Sequence, residues 1–239
     1  MNTTAASTQP QAILETYGRD LRVFLRAVVV HAKRDPFLPS WLAALGLVQF
    51  EVHGSTLLAV ACDGFSLGVA RAEVEPAAPD VAFTVRVSAL ALEQLIPNLR
   101  CDEWDVEEEE DEKPIAVEFT PEGVTVEMPY LRETSIPADT RDLKFPDWRN
   151  LVMSNLGGAA EPVSTAYAGW NLQKFVDGLV EAEPCESLRV TQRGEGHPTV
   201  VVYSDWFLGL LMPVKVGKQT SALHEEWSSL LAETDSRSK

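Results

Sequence analysis

The sequence predicts an α+β fold in which one unit occurs three times along 239 residues. Each unit consists of a short strand, an amphipathic helix and about three further strands. Two observations lead to this prediction. Apolar residues recur at helical spacing in three separate segments, and short apolar strand segments bounded by turn signals follow each of them. The turn signals are Gly-containing pairs such as His-Gly and Asp-Gly, which favour tight reversals between strands.

The first unit has its helix over Arg19 to Lys33. Asp35-Pro36 ends it, because proline disfavours helix in the residue before it. A leading strand is predicted at Gln11 to Tyr17. The three following strands are predicted at Leu45 to Val52, Thr56 to Ala61 and Phe65 to Ala70.

The second unit begins with a strand at Ala82 to Val87. Ser88 is placed to cap a helix that runs to about Leu99, since its hydroxyl oxygen can accept from a first-turn amide. Pro97 ends or kinks that helix. An acidic segment from Asp102 to Glu112 reads as a solvated loop. The strands after it are predicted at Ile115 to Phe119, Val124 to Met128 and Leu131 to Ile136.

The third unit is less complete. It has a leading strand at Val163 to Ala168 and a helix at Asn171 to Glu181, after a connector from Thr140 to Glu161. Its strands are predicted at Leu188 to Gln192, Thr199 to Tyr203 and Phe207 to Met212. We therefore divide the chain into a flexible start (1–10), a two-unit domain (11–139), a connector with a partial second domain (140–217) and a carboxyl-terminal extension (218–239). A short amphipathic helix at Ala222 to Ala232 is an open alternative to a flexible extension.

Composition narrows the functional classes. The chain is 45% apolar and carries a formal charge of -16, which argues against a surface that coats nucleic acid non-specifically. No apolar run is long enough for a membrane span, and the polar start does not resemble a secretory signal, so a cytoplasmic protein is expected. Cys62, Cys101 and Cys185 are widely separated and read as reduced thiols. No metal site and no cofactor is predicted.

Three segments in a fixed order carry a family resemblance: the Asp-Gly turn segment Val60 to Leu67, the segment Phe145 to Arg149 (Phe-Pro-Asp-Trp-Arg), and the Met-Pro segment Leu210 to Lys215. Together they resemble the bacterial DNA polymerase sliding clamp, the β-clamp family of processivity factors. The resemblance covers roughly residues 13–216. Units one and two look like a complete middle domain of a clamp, and residues 145–216 look like a last domain that lacks its first half.

The resemblance implies a DNA clamp fold, in which helices face a central hole and antiparallel sheets lie outside. It also implies double-stranded DNA, a DNA polymerase, other proteins with clamp-binding motifs and a clamp loader as partners. Bacterial and eukaryotic-type clamps line their hole with about a dozen helices. Three helices per chain would then give a homo-oligomeric tetramer ring, or a trimer ring if the connector hides a fourth helix. The short length would fit a phage-encoded version.

The first helix carries a basic stripe. At about 100° per residue, its cations fall within roughly 60° of one another, and the apolar residues gather on another arc. A clamp-like reading assigns this stripe to non-specific contact with DNA phosphates; an ordinary solubilising helix surface is the alternative. The candidate DNA-binding residues are Arg19, Arg22, Arg26, Lys33, Arg34, Arg100 and Lys174.

The three clamp-like segments predict an apolar pocket for a partner peptide. In clamps, polymerase and other partners insert a short linear peptide into a pocket built from the matching segments. Carried over to this chain, the pocket residues are Leu67, Pro146, Asn150, Leu151, Leu210, Met212, Pro213 and Val214. Ordinary core residues at strand ends are the alternative reading. Asn150 departs from the family, which often has Arg there.

No catalytic residues are predicted. Asp63 has no partner His or Lys in a recognisable motif, Asp147 reads as a turn residue, and Cys62 ends an apolar strand as a buried thiol. There is no P-loop and no Gly-x-Ser-x-Gly motif. We therefore expect a sliding clamp-like processivity factor rather than an enzyme. A non-ring adaptor or decoy that binds clamp partners or another clamp stays open, as does, more remotely, an enzyme on an unrelated α+β scaffold.

Overall fold

The described part of the chain contains two antiparallel sheets with helices against them, which confirms the predicted α+β class. The structure is a computed structural model, and it describes residues 10–35, 37–99, 114–128, 133–156, 167–179, 182, 188–194 and 196–214. The strands are β1 (Ala12–Thr16), β2 (Leu47–His53), β3 (Thr56–Cys62), β4 (Ser66–Glu73), β5 (Glu75–Pro76), β6 (Ala82–Ser88), β7 (Ile115–Thr120), β8 (Gly123–Glu127), β9 (Thr134–Pro137), β10 (Leu188–Gln192), β11 (Thr199–Tyr203) and β12 (Phe207–Leu211). The helices are α1 (Gly18–Val29), α2 (Ala89–Leu95), α3 (Trp148–Asn155) and α4 (Gly169–Leu179), with 3₁₀ turns at Ser40–Gly46 and Ile96–Leu99.

The first two units exchange their leading strands. β1 precedes α1 but pairs with β7, the first strand after α2. In the same way, β6 precedes α2 but pairs with β2, the first strand after α1. The two units thus close one domain reciprocally, and neither of their sheets is formed by a single unit.

The third unit extends the first. The five-stranded sheet has the order β5-β1-β7-β8-β9, and the seven-stranded sheet has the order β10-β11-β12-β4-β3-β2-β6. β12 pairs with β4 along its whole length, from Phe207 opposite Ala70 to Leu211 opposite Ser66. The partial second domain is therefore part of the same sheet as the first unit.

α1 is shorter than predicted. Its buried side carries Leu21, Phe24, Leu25 and Val28, which pack into the main core. After Val29 the backbone forms tighter, 3₁₀-type turns with hydrogen bonds between residues three apart. The His31 amide donates to the Val28 carbonyl, and the Ala32 amide donates to the Val29 carbonyl. Lys33 consequently lies beyond the helix, which corrects its place on the predicted helical stripe.

α2 agrees with its predicted cap. The hydroxyl oxygen of Ser88 accepts a hydrogen bond from the Ala91 amide at 3.4 Å. The α-helix ends at Leu95, and Pro97 lies in the 3₁₀ turn that follows it. Ser88 thus starts the helix, and the backbone changes to a tighter turn where proline lacks the amide that an α-helix needs.

The predicted connector contains a helix, α3, which the sequence analysis raised only as an alternative. Asp147 is its N-cap and accepts from the Asn150 amide at 3.2 Å, so it has a more specific role than a turn residue. Trp148 and Val152 of α3 pack on a second core cluster with residues of β3, β4 and β12. α1 and α4 pack on the opposite face of the same sheet, in the main core.

α4 crosses α1 closely. A Cβ at Gly178 would lie 3.2 Å from the Ala27 Cα, so glycine allows the two helices to approach. Phe175 of α4 lies over Gly209 of β12 and packs against the rings of His31 and Phe207. The close packing of α4 on α1 and β12 therefore holds the third unit on the first domain.

Several predicted segments fall outside the described residues. They are the acidic loop, most of the strand at residues 163–168, the start of the strand at residues 131–136, the first nine residues, the extension after residue 214, and Arg100, Cys101 and Cys185. Of the third unit's leading strand, Tyr167 and Ala168 are described and are not in a strand. Among the helices in the described ranges, none has the length and apolar character to cross a membrane.

Candidate functional site

The first surface of interest is the basic face of α1, formed by Arg19, Arg22 and Arg26. Arg19 is exposed, and the other two are partly buried. These residues alternate with the buried residues of α1, so the helix presents apolar side chains to the sheet and arginines away from it. The predicted stripe therefore exists over the helical residues, without Lys33.

The remaining predicted cations lie elsewhere. The Arg34 Nε is 2.7 Å from Glu93 Oε1, an ion pair that ties the segment after α1 to α2. Lys174 of α4 pairs with Asp63, and its ammonium lies 5.2 Å from the centre of the Trp170 ring. Lys174 thus directs its charge at a carboxylate, and of the predicted DNA-binding cations that the structure describes, Arg19, Arg22 and Arg26 share the α1 face.

The Asp63 carboxylate organises the Asp-Gly turn. Oδ1 accepts from the amides of Phe65 at 2.9 Å and Ser66 at 2.8 Å, while Oδ2 accepts from Lys174. Gly64 adopts φ +92°, which favours glycine. Burial acts to raise the pKa of Asp63, but the hydrogen bonds from Lys174 and the two amides prevail and lower it. The sequence analysis found no partner Lys for Asp63 in a recognisable motif, and the partner that the structure shows, Lys174, lies 111 residues away.

His31 is buried next to this pair. Its ring centre lies 4.7 Å from that of Phe175. Burial and, to a smaller extent, the nearby charge of Lys174 lower the pKa of His31 to about 3, against a small opposing effect of Asp63. The imidazole is therefore neutral, and its ring packs against the rings of Phe175 and Phe207.

Residues of all three clamp-like segments meet in the second core cluster, and of the predicted peptide-pocket residues Leu67 and Leu210 belong to it. Leu67 of β4 and Leu210 of β12 are paired in register and are both 1% exposed. They belong to the second core cluster, where Phe145 and Trp148 pack with them. The amide of Met212 donates to the Phe65 carbonyl at 2.9 Å, which ties the final segment to the Asp-Gly turn.

Burial divides these residues into a floor and a rim. Leu67 and Leu210 form a floor that is covered in this structure. Pro146, Met212 and Pro213 are half-buried, and Leu151, Asn150 and Val214 are exposed at the rim. The buried members thus lie in the second core cluster, and the exposed apolar members are Leu151 and Val214.

A buried carboxylate explains the Phe-Pro-Asp-Trp-Arg segment. Glu51 of β2 is 4% exposed and accepts from the Trp148 indole Nε1 at 2.9 Å and from Gln49 Nε2 at 2.6 Å. Its other oxygen pairs with Arg149, whose guanidinium lies 4.3 Å from the centre of the Trp148 ring. Burial acts to raise the pKa of Glu51, but the hydrogen bonds from Trp148, Arg149 and Gln49 outweigh burial and lower it.

The Glu51 cluster continues along the sheet. Arg86 of β6 donates to Gln49 Oε1 and to the Leu143 carbonyl, both at 2.7 Å. The connector is therefore held to the face of β2 and β6 by polar contacts on both sides of Trp148. The sequence analysis missed this cluster. The available signal was the alternation of Gln49 and Glu51 with apolar residues on β2, which places two polar side chains on one face.

A cavity of about 470 Å³ opens beside α4, between the helix side and the Asp-Gly turn. It is bounded by cations and aromatic rings, among them Lys33, Arg34, Phe65, Trp170 and Lys174. Acidic residues of the same lining, Asp63 and Asp177, offset these charges. In the part of the chain that the structure describes, no group of acidic, histidine and cysteine residues is arranged to hold a metal ion.

The reciprocal two-unit domain, the antiparallel sheets and the packing of α1, α2 and α4 in the main core define a DNA clamp fold. Solved structures bear this out. The DNA polymerase sliding clamp from Bacillus subtilis matches with a TM-score of 0.62 at 14% identity, over 91% of this chain and 67% of that one. The DNA polymerase III beta subunit from Thermotoga maritima matches with a TM-score of 0.58 at 16% identity, over 91% and 68%. The sliding clamp from Pseudomonas aeruginosa gives 0.60 at 14%, over 85% and 66%.

The chain spans about two thirds of the length of these clamps. No family model and no curated protein sequence matches it. The resemblance to the bacterial sliding clamps is thus shown in the fold, at identities too low to carry function with it.

Proposed function

We propose that the chain is a subunit of a sliding clamp-like processivity factor, which encircles duplex DNA and tethers a DNA polymerase. One observation carries the proposal: different elements cover the two sides of the seven-stranded sheet. α1 and α4 cover one side, and α1 turns its arginines away from the sheet. The three clamp-like segments meet with α3 on the other side. DNA and a partner peptide would therefore have separate surfaces.

The basic face of α1 suits contact with DNA that does not depend on base sequence. Arginines on the outside of a helix reach phosphates, and phosphate contacts position a duplex without reading its bases. Arg34 and Lys174 are engaged in ion pairs. The resulting attraction per subunit is modest, which suits a protein that must move along DNA.

The rim of the three-segment site suits a short peptide with an apolar side chain. Met212 is half-buried, and its flexible thioether can adapt to different partners. A Leu or Phe of a polymerase segment would pack against Leu151, Met212 and Val214. Each side chain that becomes fully buried would contribute about 1.5 to 3 kcal/mol of binding free energy.

We infer a cyclic tetramer. α1, α2 and α4 contribute to the main core on the helix side, while α3 lies on the other side of the sheet. The helix found in the connector therefore adds nothing to the channel side, and the trimer that depended on it loses its support. Four copies would supply about a dozen helices, and a clamp loader would open the closed ring around DNA.

Retention on closed and linear DNA tests the proposal. Subunits are mixed with a nicked circular plasmid at low protein concentration and then concentrated, so that rings assemble around the DNA. We expect retention on the circle during gel filtration and its loss after linearisation, since a sliding ring leaves at an end. Equal behaviour of the two DNA forms, with an assembled protein, would reject encirclement.

A matched pair of charge reversals tests the basic face. Arg19→Glu should weaken retention and reduce the slope of log affinity against log salt by about 0.9, because one fewer phosphate is neutralised. Lys144→Glu makes the same charge change at an exposed residue next to Phe145, on the opposite side of the sheet, and should behave as the wild type. An equal weakening in both variants would show that total charge matters and the α1 face does not.

A further inference from the structure

The cavity beside α4 has half-exposed aromatic walls. Trp170 is 56% exposed and Phe65 is 50% exposed, and their ring centres lie 5.8 Å apart in an edge-to-face arrangement. Buried aromatic side chains dominate the energetics of many interfaces. The cavity volume of about 470 Å³ falls within the roughly 300 to 1,000 Å³ that is typical of binding sites. The cavity is therefore large enough for one bulky side chain and its neighbours.

The charged groups at this cavity differ in how far they are neutralised. Lys174 pairs with Asp63, and Arg34 pairs with a carboxylate of α2. Asp177, the second acid of the lining, is exposed to water. Lys33 is half-buried at the cavity wall and pairs with no carboxylate among the described residues. The site therefore favours an occupant that combines an apolar side chain with a carboxylate.

The carboxyl-terminal extension starts next to this cavity. The Met212 amide donates at 2.9 Å to the carbonyl of Phe65, which is part of the cavity lining. Val214, the last described residue, follows shortly after and is 39% exposed. A flexible chain as long as residues 215–226 spans about 20 Å on average. Residue 227 can therefore reach the cavity without any movement of the described part.

The sequence of the extension has the character that the site favours. Trp227 and Leu231 have the spacing of residues on one helix face. Glu225 and Glu226 directly precede the tryptophan, and residues 219–236 contain no Lys or Arg. This segment thus combines large apolar side chains with acidic charge.

We propose that the cavity binds the chain's own segment 219–234, with Trp227 on the two aromatic walls and its neighbouring acids near Lys33. The covalent attachment favours this occupant, because an attached segment acts at an effective concentration in the millimolar range. A free peptide or a second copy has to supply the same contacts at its own concentration in solution.

The docked segment would lie beside the peptide site. Met212 and Val214 belong to the rim of the three-segment site, and the extension continues directly from them. A partner peptide that packs on this rim would therefore compete with the segment, so the chain would lower the apparent affinity of its own site. This consequence rests on the proposed function, whereas the docking itself does not.

Fluorine NMR of the full chain, with 5-fluorotryptophan in place of tryptophan, tests the docking. Each of the six tryptophan signals is assigned by its own replacement with phenylalanine. We expect Trp170→Ala to move the Trp227 signal toward the position of free 5-fluorotryptophan. Trp41→Ala is the matched control, because it removes a 77% exposed tryptophan outside the cavity lining and should leave the Trp227 signal unchanged.

Two results of this experiment would overturn the proposal. One is a wild-type Trp227 signal that already lies at the position of the free amino acid. The other is a Trp227 signal that does not respond to Trp170→Ala.

A charge exchange tests the role of Lys33. Lys33→Glu should weaken docking, and adding Glu225→Lys with Glu226→Lys should restore it, since opposite charges then face each other again. Lys144→Glu makes the same charge change at an exposed residue and should leave docking unchanged. The signal of Trp148, which is buried in the second core cluster, reports whether each variant is folded. Unchanged docking in folded Lys33→Glu, or an unrestored triple variant, would reject the assigned placement.

A mixture of variants separates docking within one chain from docking between copies. Trp170→Ala keeps the segment and Trp227→Phe keeps the cavity, so neither variant alone forms the complete contact. When the two variants are co-expressed, a docked Trp227 signal would show that the segment reaches a second copy and would overturn the proposal. We expect the Trp227 signal to stay at its undocked position.

Binding of a polymerase-tail peptide separates this inference from the proposed function. Trp227→Ser should bind the peptide about tenfold more tightly than the wild type in calorimetry, because a competitor at millimolar effective concentration is removed. Equal affinities would reject the competition. A docked Trp227 in a protein that binds no peptide keeps the inference and rejects the peptide site. Peptide binding by a protein with an undocked Trp227 keeps the peptide site and rejects the inference.

Discussion

Replacement of Glu51 by glutamine tests how the connector is held to the sheet. The change keeps the shape of the side chain and removes its charge. Its two interactions with Trp148 and Arg149 are charge-assisted, and hydrogen bonds to charged groups contribute about 1.5 to 3 kcal/mol. The Gln oxygen can still accept from the indole, but its amide would face the Arg149 guanidinium.

The expected loss of unfolding free energy is about 2 kcal/mol. The larger values for a broken buried ion pair, about 3 to 5 kcal/mol, do not apply because the Arg149 side chain is 48% exposed and can turn to water. For a chain of this length, about 2 kcal/mol corresponds to a decrease in melting temperature of about 4 to 8 °C. Urea unfolding followed by tryptophan fluorescence measures the change. Glu73→Gln, at an exposed residue of β4, is the control and should change stability by less than about 0.5 kcal/mol.

The lowered pKa of Glu51 predicts that the unfolding free energy depends on pH in a way that Glu51→Gln should abolish. The pKa of Glu51 in the folded state lies below its ordinary value of 4.5, so the ionised form is favoured by folding. Its contribution is fully present above that ordinary value and is lost as the pH falls through the folded-state pKa. The wild type should therefore lose stability in this acidic range more steeply than Glu51→Gln. Equal slopes, or an unchanged urea midpoint at neutral pH, would refute the role assigned to Glu51.

Two further predictions concern the Asp-Gly turn and the peptide site. Lys174→Met leaves the carboxylate of Asp63 buried without its cation, so it should lower the unfolding free energy by about 3 kcal/mol in urea titrations. Adding Asp63→Asn should recover part of this loss. A double variant that is less stable than the single one would contradict the prediction. Met212→Ala should weaken the binding of a polymerase-tail peptide by about 1 to 3 kcal/mol in calorimetry, while Met153→Ala should not, and equal affinities of folded variants would remove Met212 from the site.

Local signals predicted most of the elements. The Ser88 cap, the Gly-containing turns and the strands after each predicted helix depend on neighbouring residues, and these appear in the structure close to their predicted ranges. The leading strand of the third unit is the exception, since Tyr167 and Ala168 are not in a strand. The extent of α1 was overestimated, because the residues after Val29 keep an apolar helical pattern while their backbone forms tighter turns. The periodicity of side chains does not distinguish these two backbones.

The long-range contacts could not be predicted from the sequence. Glu51 and Trp148 are 97 residues apart, and Asp63 and Lys174 are 111 apart, so neither pairing has a spacing that a motif could display. The side of the sheet on which α3 lies was equally hidden. Its apolar residues indicate only that one helix face is buried, and the partner face depends on how the strands are arranged.

The hydrogen bonds between β12 and β4 have a mechanical consequence. The two domains share a continuous ladder of five residue pairs, so bending between them would have to break the sheet. The elements joined through β4 and β12 should therefore move as one rigid body in the native state. In the proposed ring, a gate that admits DNA would then lie between subunits. Amides of β4 and β12 should exchange with deuterium only on global unfolding, at the same rate in both strands.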